Sequence, residues 1–319
     1  MKRSATTLAA ALAAALPSLV FASCGASFCA VNTNWTTQSA MLEAGSAFDL
    51  RYEYMHQDQP YAGSDRVAFG QIHRHHDEQS TLNRNMVGTY SRNFGNGWGV
   101  EATLPVMQRD HRHVHNHHGA QVHDAWKFTS LGDVRVAGRY QFAGIGDPLN
   151  PSTNGVTFGL KLPTGRTGID NAQSGTAERS LQPGTGTTDL MLGAFHHQKF
   201  AARDASWFVQ GSYQHALGSH DGYKPGAQLG ADLGYRHGLG ASWGVLAQLN
   251  FLHKRSDSGA QAEPADTGSR ALYASPGVSY AVGRNMQVYA FYQHALYRKV
   301  TGVQIGADRS FVAGLSGHL

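Results

Sequence analysis

Histidines concentrated in two short segments give this sequence its most unusual chemistry. They are His73, His75 and His76 in the first segment, and His111, His113, His115, His117 and His118 in the second. Neutral imidazole is the commonest transition-metal ligand, and alternate residues of an extended chain point to the same side. The two segments therefore predict a site for a divalent transition metal, namely Zn²⁺, Cu²⁺ or Ni²⁺. A hydrophilic stretch without specific binding is the alternative that this composition allows.

Charged side chains that alternate with apolar ones form a second chemically capable set. Asp49, Arg51 and Glu53, for example, alternate with aromatic and aliphatic neighbours over residues 48–54. Such a strand has one charged face and one apolar face. If the apolar faces meet lipid, the interior is lined by Asp49, Arg51, Glu53, Glu101, Arg135, Arg139, Lys161, Asp232 and Arg236. These charges form either a self-neutralising polar core or the lining of a narrow solute path.

A search for catalytic and nucleotide-binding motifs gives little support to an enzyme. The sequence contains no H-E-x-x-H, no Walker loop and no G-x-G-x-x-G. The formal net charge of +4 is scattered rather than clustered, so we expect no nucleic-acid partner.

The elements that position these residues are predicted by the same alternation, which recurs along the whole chain. It occurs over residues 48–54, 82–92, 98–104, 133–142, 156–162, 188–197, 207–215, 228–236, 243–252, 272–282, 286–294 and 311–319. Long gaps alternate with mostly shorter ones, whereas a soluble sandwich would not sort its connections in this way. The pattern predicts an all-β protein, a transmembrane up-and-down antiparallel β-barrel of about 12 strands. Both histidine segments then fall in long outer loops, and Trp98, Trp207 and Trp243 fall at the periplasmic rim.

The N-terminus predicts export to the outer membrane of a Gram-negative cell. Lys2 and Arg3 precede a short apolar run that ends in small residues, so residues 1–22 are predicted to be a cleaved signal peptide. Residues 23–45 are then a periplasmic N-terminal segment that plugs or braces the barrel, and residues 46–319 form the barrel. Cys24 and Cys29 are predicted to form a local disulfide in the oxidising periplasm. Lipidation of Cys24 is the alternative, because the residues before it loosely resemble a lipobox.

Two segments resemble a known family. Residues 159–165 read GLKLPTG and residues 181–189 read LQPGTGTTD. They resemble the outer-membrane barrels named after the meta-cleavage pathway of phenol degradation, in which such segments flank a long outer loop. The resemblance implies a transporter-like barrel that passes small solutes.

The resulting functional prediction is a channel-like or transport-associated barrel for small solutes, and not an enzyme. Its partners are outer-membrane lipid and small solutes, and its oligomeric state is left open. No cofactor is required, although the histidines allow a bound divalent metal. The alternatives are a metal-binding surface barrel without an open pore and, behind it, an outer-membrane barrel enzyme.

Overall fold

The computed structural model of the chain describes residues 31–33, 44–72, 77–117, 120–142, 150–173 and 175–319. Almost all regular structure in these residues is β-strand, with one short 3-10 turn at Ala201–Arg203. No helix within the described residues is long and apolar enough to cross a bilayer. The predicted signal peptide and the predicted Cys24–Cys29 disulfide lie outside the described residues.

Twelve long strands form the wall of a closed barrel. They are β1 (Gly45–Gln57), β4 (Asp77–Asn93), β5 (Trp98–His117), β7 (Arg135–Gln141), β8 (Ser152–Lys161), β9 (Asp189–Phe200), β10 (Ala205–Ala216), β11 (Gln228–Leu239), β12 (Trp243–Lys254), β13 (Ser269–Val282), β14 (Met286–Val300) and β16 (Arg309–His318). Each pairs antiparallel with its neighbours around the ring, and the pairing of β1 with β16 joins the two ends of the sheet. Closure leaves no wall edge with unpaired backbone groups in lipid. The predicted barrel is confirmed, because every alternating segment falls on a wall strand.

Four further strands lie outside the wall. β2 (Gln59–Ala62), β3 (Asp65–Arg66) and β15 (Val303–Gly306) form a small sheet over the outer end. β6 (Ala120–Leu131) pairs only with the outer half of β5. The prediction that the second histidine segment falls in an outer loop is therefore wrong for its described part, since residues 106–117 pair with residues 120–131 and extend β5. The alternation rule did not predict β6, because polar and histidine residues interrupt the apolar pattern in this part of the sequence.

The two faces of the wall differ as the alternation predicts. Asp49 is 8% exposed and faces the interior, whereas its neighbour Leu50 is 46% exposed and faces outward. Leu104, Val136, Leu160, Leu233, Leu249 and Phe311 are among the other exposed apolar side chains. An exposed apolar surface of this extent around a closed barrel is the surface that lipid covers.

Aromatic rings gather near the periplasmic turns. Trp98 begins β5 and packs 4.8 Å from Tyr140, while Trp243 begins β12 and packs 4.8 Å from Tyr280. Trp207 lies close to the start of β10 beside His196. Amphipathic rings favour the headgroup level of a membrane, so these residues place the inner boundary of the apolar band.

Candidate solute pathway through the barrel

The first strand carries a ladder of charges into the barrel interior. Odd-numbered residues of β1 point inward, so Asp49, Arg51 and Glu53 lie on one face. Arg51 Nε lies 2.8 Å from Glu53 Oε1, and Arg51 Nη1 lies 3.4 Å from Asp49 Oδ1. Tyr289 of β14, two strands away along the wall, donates its hydroxyl to Asp49 Oδ2 at 2.6 Å. Part of the predicted lining is therefore neutralised within β1 itself.

A cavity of about 800 Å³ occupies the inner part of the lumen. Pro151, Asp204 and Arg284 border it, so it reaches the periplasmic turns. No described residue of an outer loop lines it. The predicted residues that border this cavity are Asp49, Arg51, Glu101, Arg135, Arg139 and Arg236. The structure therefore brings these six side chains to one space.

The other three predicted lining residues are held away from the cavity by polar partners. Glu53 is buried and accepts hydrogen bonds from Arg51 and Asn85. Asp232 accepts hydrogen bonds from Asn250 and Asn32. Lys161 is 3% exposed at the outer end of β8, where it bonds to loop residues. These three side chains point inward, but they lie among packed polar groups and do not border the cavity.

Three residues of the predicted N-terminal segment lie inside the barrel. Asn32 donates its backbone N–H to Gln248 Oε1 at 3.1 Å, and Gln248 returns a hydrogen bond to the Asn32 carbonyl at 2.9 Å. The Asn32 side-chain amide donates to Gln210 Oε1 at 2.8 Å, and Thr33 bonds to Asp49. Residues 31–33 thus connect β1, β10 and β12 across the lumen.

An apolar patch on the lumen wall accompanies this segment. Val31 packs in a buried cluster with Leu246, Tyr289, Phe291 and Val312. These side chains face inward from β12, β14 and β16, although the alternation rule assigns apolar residues to the lipid side. They were missed as site residues because a run such as Tyr289-Ala290-Phe291-Tyr292 has apolar residues on both faces.

The outer end of the lumen is filled by the connection between β8 and β9. Arg109 of β5 is 1% exposed and donates to the carbonyl oxygen of Leu181 in this connection. Its Nε also donates to Asn83 Oδ1 at 2.8 Å. Leu181 packs with Trp126, Ala177 and Ile305 in a buried cluster. The long outer loop is therefore folded into the mouth and closes it on the outer side.

Charged groups attach both ends of this loop to the wall. Lys161 Nζ lies 2.8 Å from Asp133 Oδ2 and 3.3 Å from Asp189 Oδ1. Asp133 also accepts the backbone N–H groups of Gly165 and Thr185, each at 3.0 Å. Asp133 and Asp189 were not among the predicted site residues, although Asp189 closes the second family-like segment. One buried carboxylate therefore joins the two segments that flank the loop.

Glycines allow the two ends of the loop to touch. A Cβ added at Gly165 would lie 2.7 Å from the Cα of Gly184, which is closer than side-chain carbons approach backbone. Gly186 has a φ of +72°, a conformation that side-chain-bearing residues rarely adopt. Close backbone contact and a positive φ thus explain why glycine occupies these positions in both family-like segments.

The predicted metal ligands are only partly described. His111 is fully buried, and its Nδ1 lies 2.8 Å from Thr81 Oγ1 and its Nε2 3.3 Å from His113 Nδ1. Burial, followed by the nearby His113 and Arg109, lowers the pKa of His111 well below its usual value. His73, His75, His76 and His118 and the side chains of His115 and His117 lie outside the described residues. Within the part of the chain that is described, no group of three or more potential ligands is arranged to hold a metal.

One serine matches the spacing of a hydrolase nucleophile. Ser242 lies in the string Gly240-Ala241-Ser242-Trp243-Gly244. A nucleophile elbow of this spacing requires a strand-to-helix turn. Here residues 240–242 instead form the tight turn between β11 and β12, so the expected structural context is missing.

Comparisons with known proteins identify a matching family and similar solved structures. A family model described as "Putative MetA-pathway of phenol degradation" matches residues 87–311. An outer-membrane channel from Pseudomonas putida F1 superposes with a TM-score of 0.61 at 12% identity, covering 88% of this chain and 98% of the channel. The CymD monoaromatic hydrocarbon channel gives a TM-score of 0.45 at 9% identity, over 93% of this chain and 96% of that one. No curated protein sequence matches significantly.

Proposed function

We propose that this protein is a channel for small anionic solutes. The chain belongs to the outer-membrane barrel family whose model is described as "Putative MetA-pathway of phenol degradation". It is an outer-membrane β-barrel, and its channel-like character follows from the family. The finer claim, a preference for anions, depends on one observation, the charge of the cavity wall.

Cations outnumber acids on the cavity wall. Seven cationic side chains border it, and three acidic ones do: Arg51, Arg92, Arg135, Arg139, Lys199, Arg236 and Arg284 against Asp49, Glu101 and Asp204. An excess of one sign in a confined space of low dielectric raises the local concentration of the opposite ion. Rings of Arg and Lys are the usual lining of anion pores. A carboxylate or similar small anion fits this wall best.

Apolar residues on the same wall favour an organic anion over an inorganic one. Phe208, Leu246 and Leu252 border the cavity together with the charged residues. Ligand sites commonly combine apolar walls with a few placed polar groups. Passage to the cavity from outside requires the β8–β9 connection to move, because it fills the outer mouth.

Planar-bilayer recordings test the proposal. The refolded protein should show a current that prefers anions by reversal potential, and a small aromatic carboxylate should interrupt it. Arg135→Gln together with Arg139→Gln should shift the reversal potential toward zero selectivity. Arg203→Gln, in a periplasmic turn, is the matched control, because Arg203 is exposed and does not line the cavity. A cation-selective current, or no current with any small solute, would contradict the proposal.

A further inference from the structure

Three basic side chains form a row on the outward face of the barrel. His253 ends the outer part of β12, Arg270 begins β13 and Lys299 lies near the end of β14. Arg270 pairs directly with His253 on one side and with Lys299 on the other. Arg270 and Lys299 are exposed, and they lie on the same face as the lipid-facing residues of their strands.

The height of this row corresponds to the outer membrane boundary. On β13, Arg270 lies ten positions from Tyr280, and on β12, His253 lies ten positions from Trp243. Ten residues of a strand span about 33 Å, and a tilt of about 40° reduces this to about 25 Å along the membrane normal. That distance is the thickness of the apolar band of an outer-membrane barrel. If Trp243 and Tyr280 mark the inner boundary, the basic row lies at the level of the outer-leaflet phosphates.

The described part of the chain supplies no carboxylate counter-ion to this row. Like charges directly opposite each other on two strands destabilise a sheet. No carboxylate among the described residues lies within 4.0 Å of Arg270 or Lys299. An anion bound from outside would therefore reduce the repulsion between these two paired cations.

Apolar side chains continue the row toward the bilayer. Leu272 is the next outward residue of β13, and it pairs with Phe251 on one side and Tyr297 on the other. Tyr297 is 46% exposed. A band of cations above a band of apolar rings and chains is the surface that an amphipathic anion with acyl chains covers.

We propose that Arg270 and Lys299 bind a phosphate group of the phosphorylated glycolipid of the outer leaflet, with His253 beside them. The acyl chains of that lipid pack along Leu272, Phe251 and Tyr297. The site lies on the lipid-facing surface, so it is separate from the lumen cavity and independent of the solute that the barrel carries.

Native mass spectrometry of the refolded barrel in detergent tests this site. The probes are bisphosphorylated lipid A and lipid A from which both phosphates have been removed. The wild-type protein should bind the phosphorylated form, and Arg270→Gln with Lys299→Gln should weaken that binding about tenfold or more. Arg203→Gln, at an exposed position of a periplasmic turn away from the cavity, is the control for the single variant Lys299→Gln and should bind as the wild type does.

Two results would overturn the site. One is equal binding of the phosphorylated and dephosphorylated lipids by the wild-type protein. The other is full competition by millimolar inorganic pyrophosphate, which would identify a simple anion site without a lipid. Heat-modifiable migration of each variant checks its folding, and the single variant Lys299→Gln, expected to show an intermediate loss, replaces the double variant if that one does not fold.

Discussion

Lys161 and Asp133 form a buried ion pair, with 2.8 Å between Nζ and Oδ2, where the β8–β9 connection leaves the barrel wall. The side chains are 4% and 7% exposed. Asp133 also accepts hydrogen bonds from backbone N–H groups at both ends of the connection and from the Thr185 hydroxyl. A single acid therefore contacts both ends of the loop that closes the outer mouth.

Removing the cation of this pair should loosen the loop. Lys161→Met leaves Asp133 and Asp189 buried together without their cation, which costs about 3–5 kcal/mol in comparable buried pairs. We expect faster proteolysis within residues 163–187 and a larger bilayer conductance. Lys199→Met, at an exposed lumen position of β9, should change neither the cleavage rate nor the unfolding temperature. Unchanged proteolysis of the Lys161 variant would show that the loop is held by other contacts.

A methyl group at the loop junction should separate its two ends. Gly165→Ala places a Cβ against the backbone of Gly184, so we expect a loss of about 1–3 kcal/mol in unfolding free energy from overpacking. Gly168→Ala in the same loop is the control, because no atom lies within 4 Å of its added Cβ. Urea titration of both variants in detergent measures the difference, and equal midpoints would contradict the steric argument.

Acid should destabilise the hairpin that extends β5. Because the folded protein lowers the pKa of His111, the unfolded chain binds this proton first as pH falls. Stability from neutral His111 is therefore complete above about 6.5, the pKa of free histidine, and decreases as pH falls below that value. Hydrogen exchange should show that amides of β5 and β6 lose protection between about pH 7 and pH 5.

The variant His111→Gln identifies the group responsible. Gln keeps a polar contact for Thr81 but does not titrate, so the pH dependence of exchange in the hairpin should diminish. His318→Gln, an exposed position at the end of β16, should retain the wild-type dependence. The same acid-induced loss in both variants would assign the effect to other groups.

Weakening the contacts of Asn32 should widen the path. Asn32→Ala removes the side-chain bonds to Gln210 and Asp232 while the backbone bonds to Gln248 remain. We expect single-channel conductance to rise, because residues 31–33 cross the lumen. Asn96→Ala, in the periplasmic turn before β5, is the control. A conductance equal to that of the wild type would mean that the segment does not limit passage.

Alternation in the sequence sufficed to predict the wall of this protein. A strand with Asp49, Arg51 and Glu53 on one side and Leu50 and Tyr52 on the other has two faces that need different surroundings. Twelve such segments with sorted gaps allow few arrangements other than a barrel in a membrane. The glycines of the two family-like segments were also evident in the sequence, but the close contact between Gly165 and Gly184 was not.

Local pattern could not show which inward residues meet open space. Glu53 and Arg135 have the same inward position by alternation, yet Glu53 is packed against Arg51 and Asn85 while Arg135 borders the cavity. The difference depends on side chains from distant strands and on loops that fold back. Period and spacing describe one strand at a time and contain no information about these neighbours.

The sequence by itself determined the barrel, its two faces and its place in the outer membrane, because alternation is a local consequence of the strand. Only the tertiary structure decided that the outer mouth is closed by the β8–β9 connection, that Val31 and Asn32 enter the lumen, and that Arg270 meets Lys299 on the outer surface. Each of these depends on strand register and on loop return, which bring together residues far apart in the chain. Closure of the ring fixes that register, and no single segment specifies it alone.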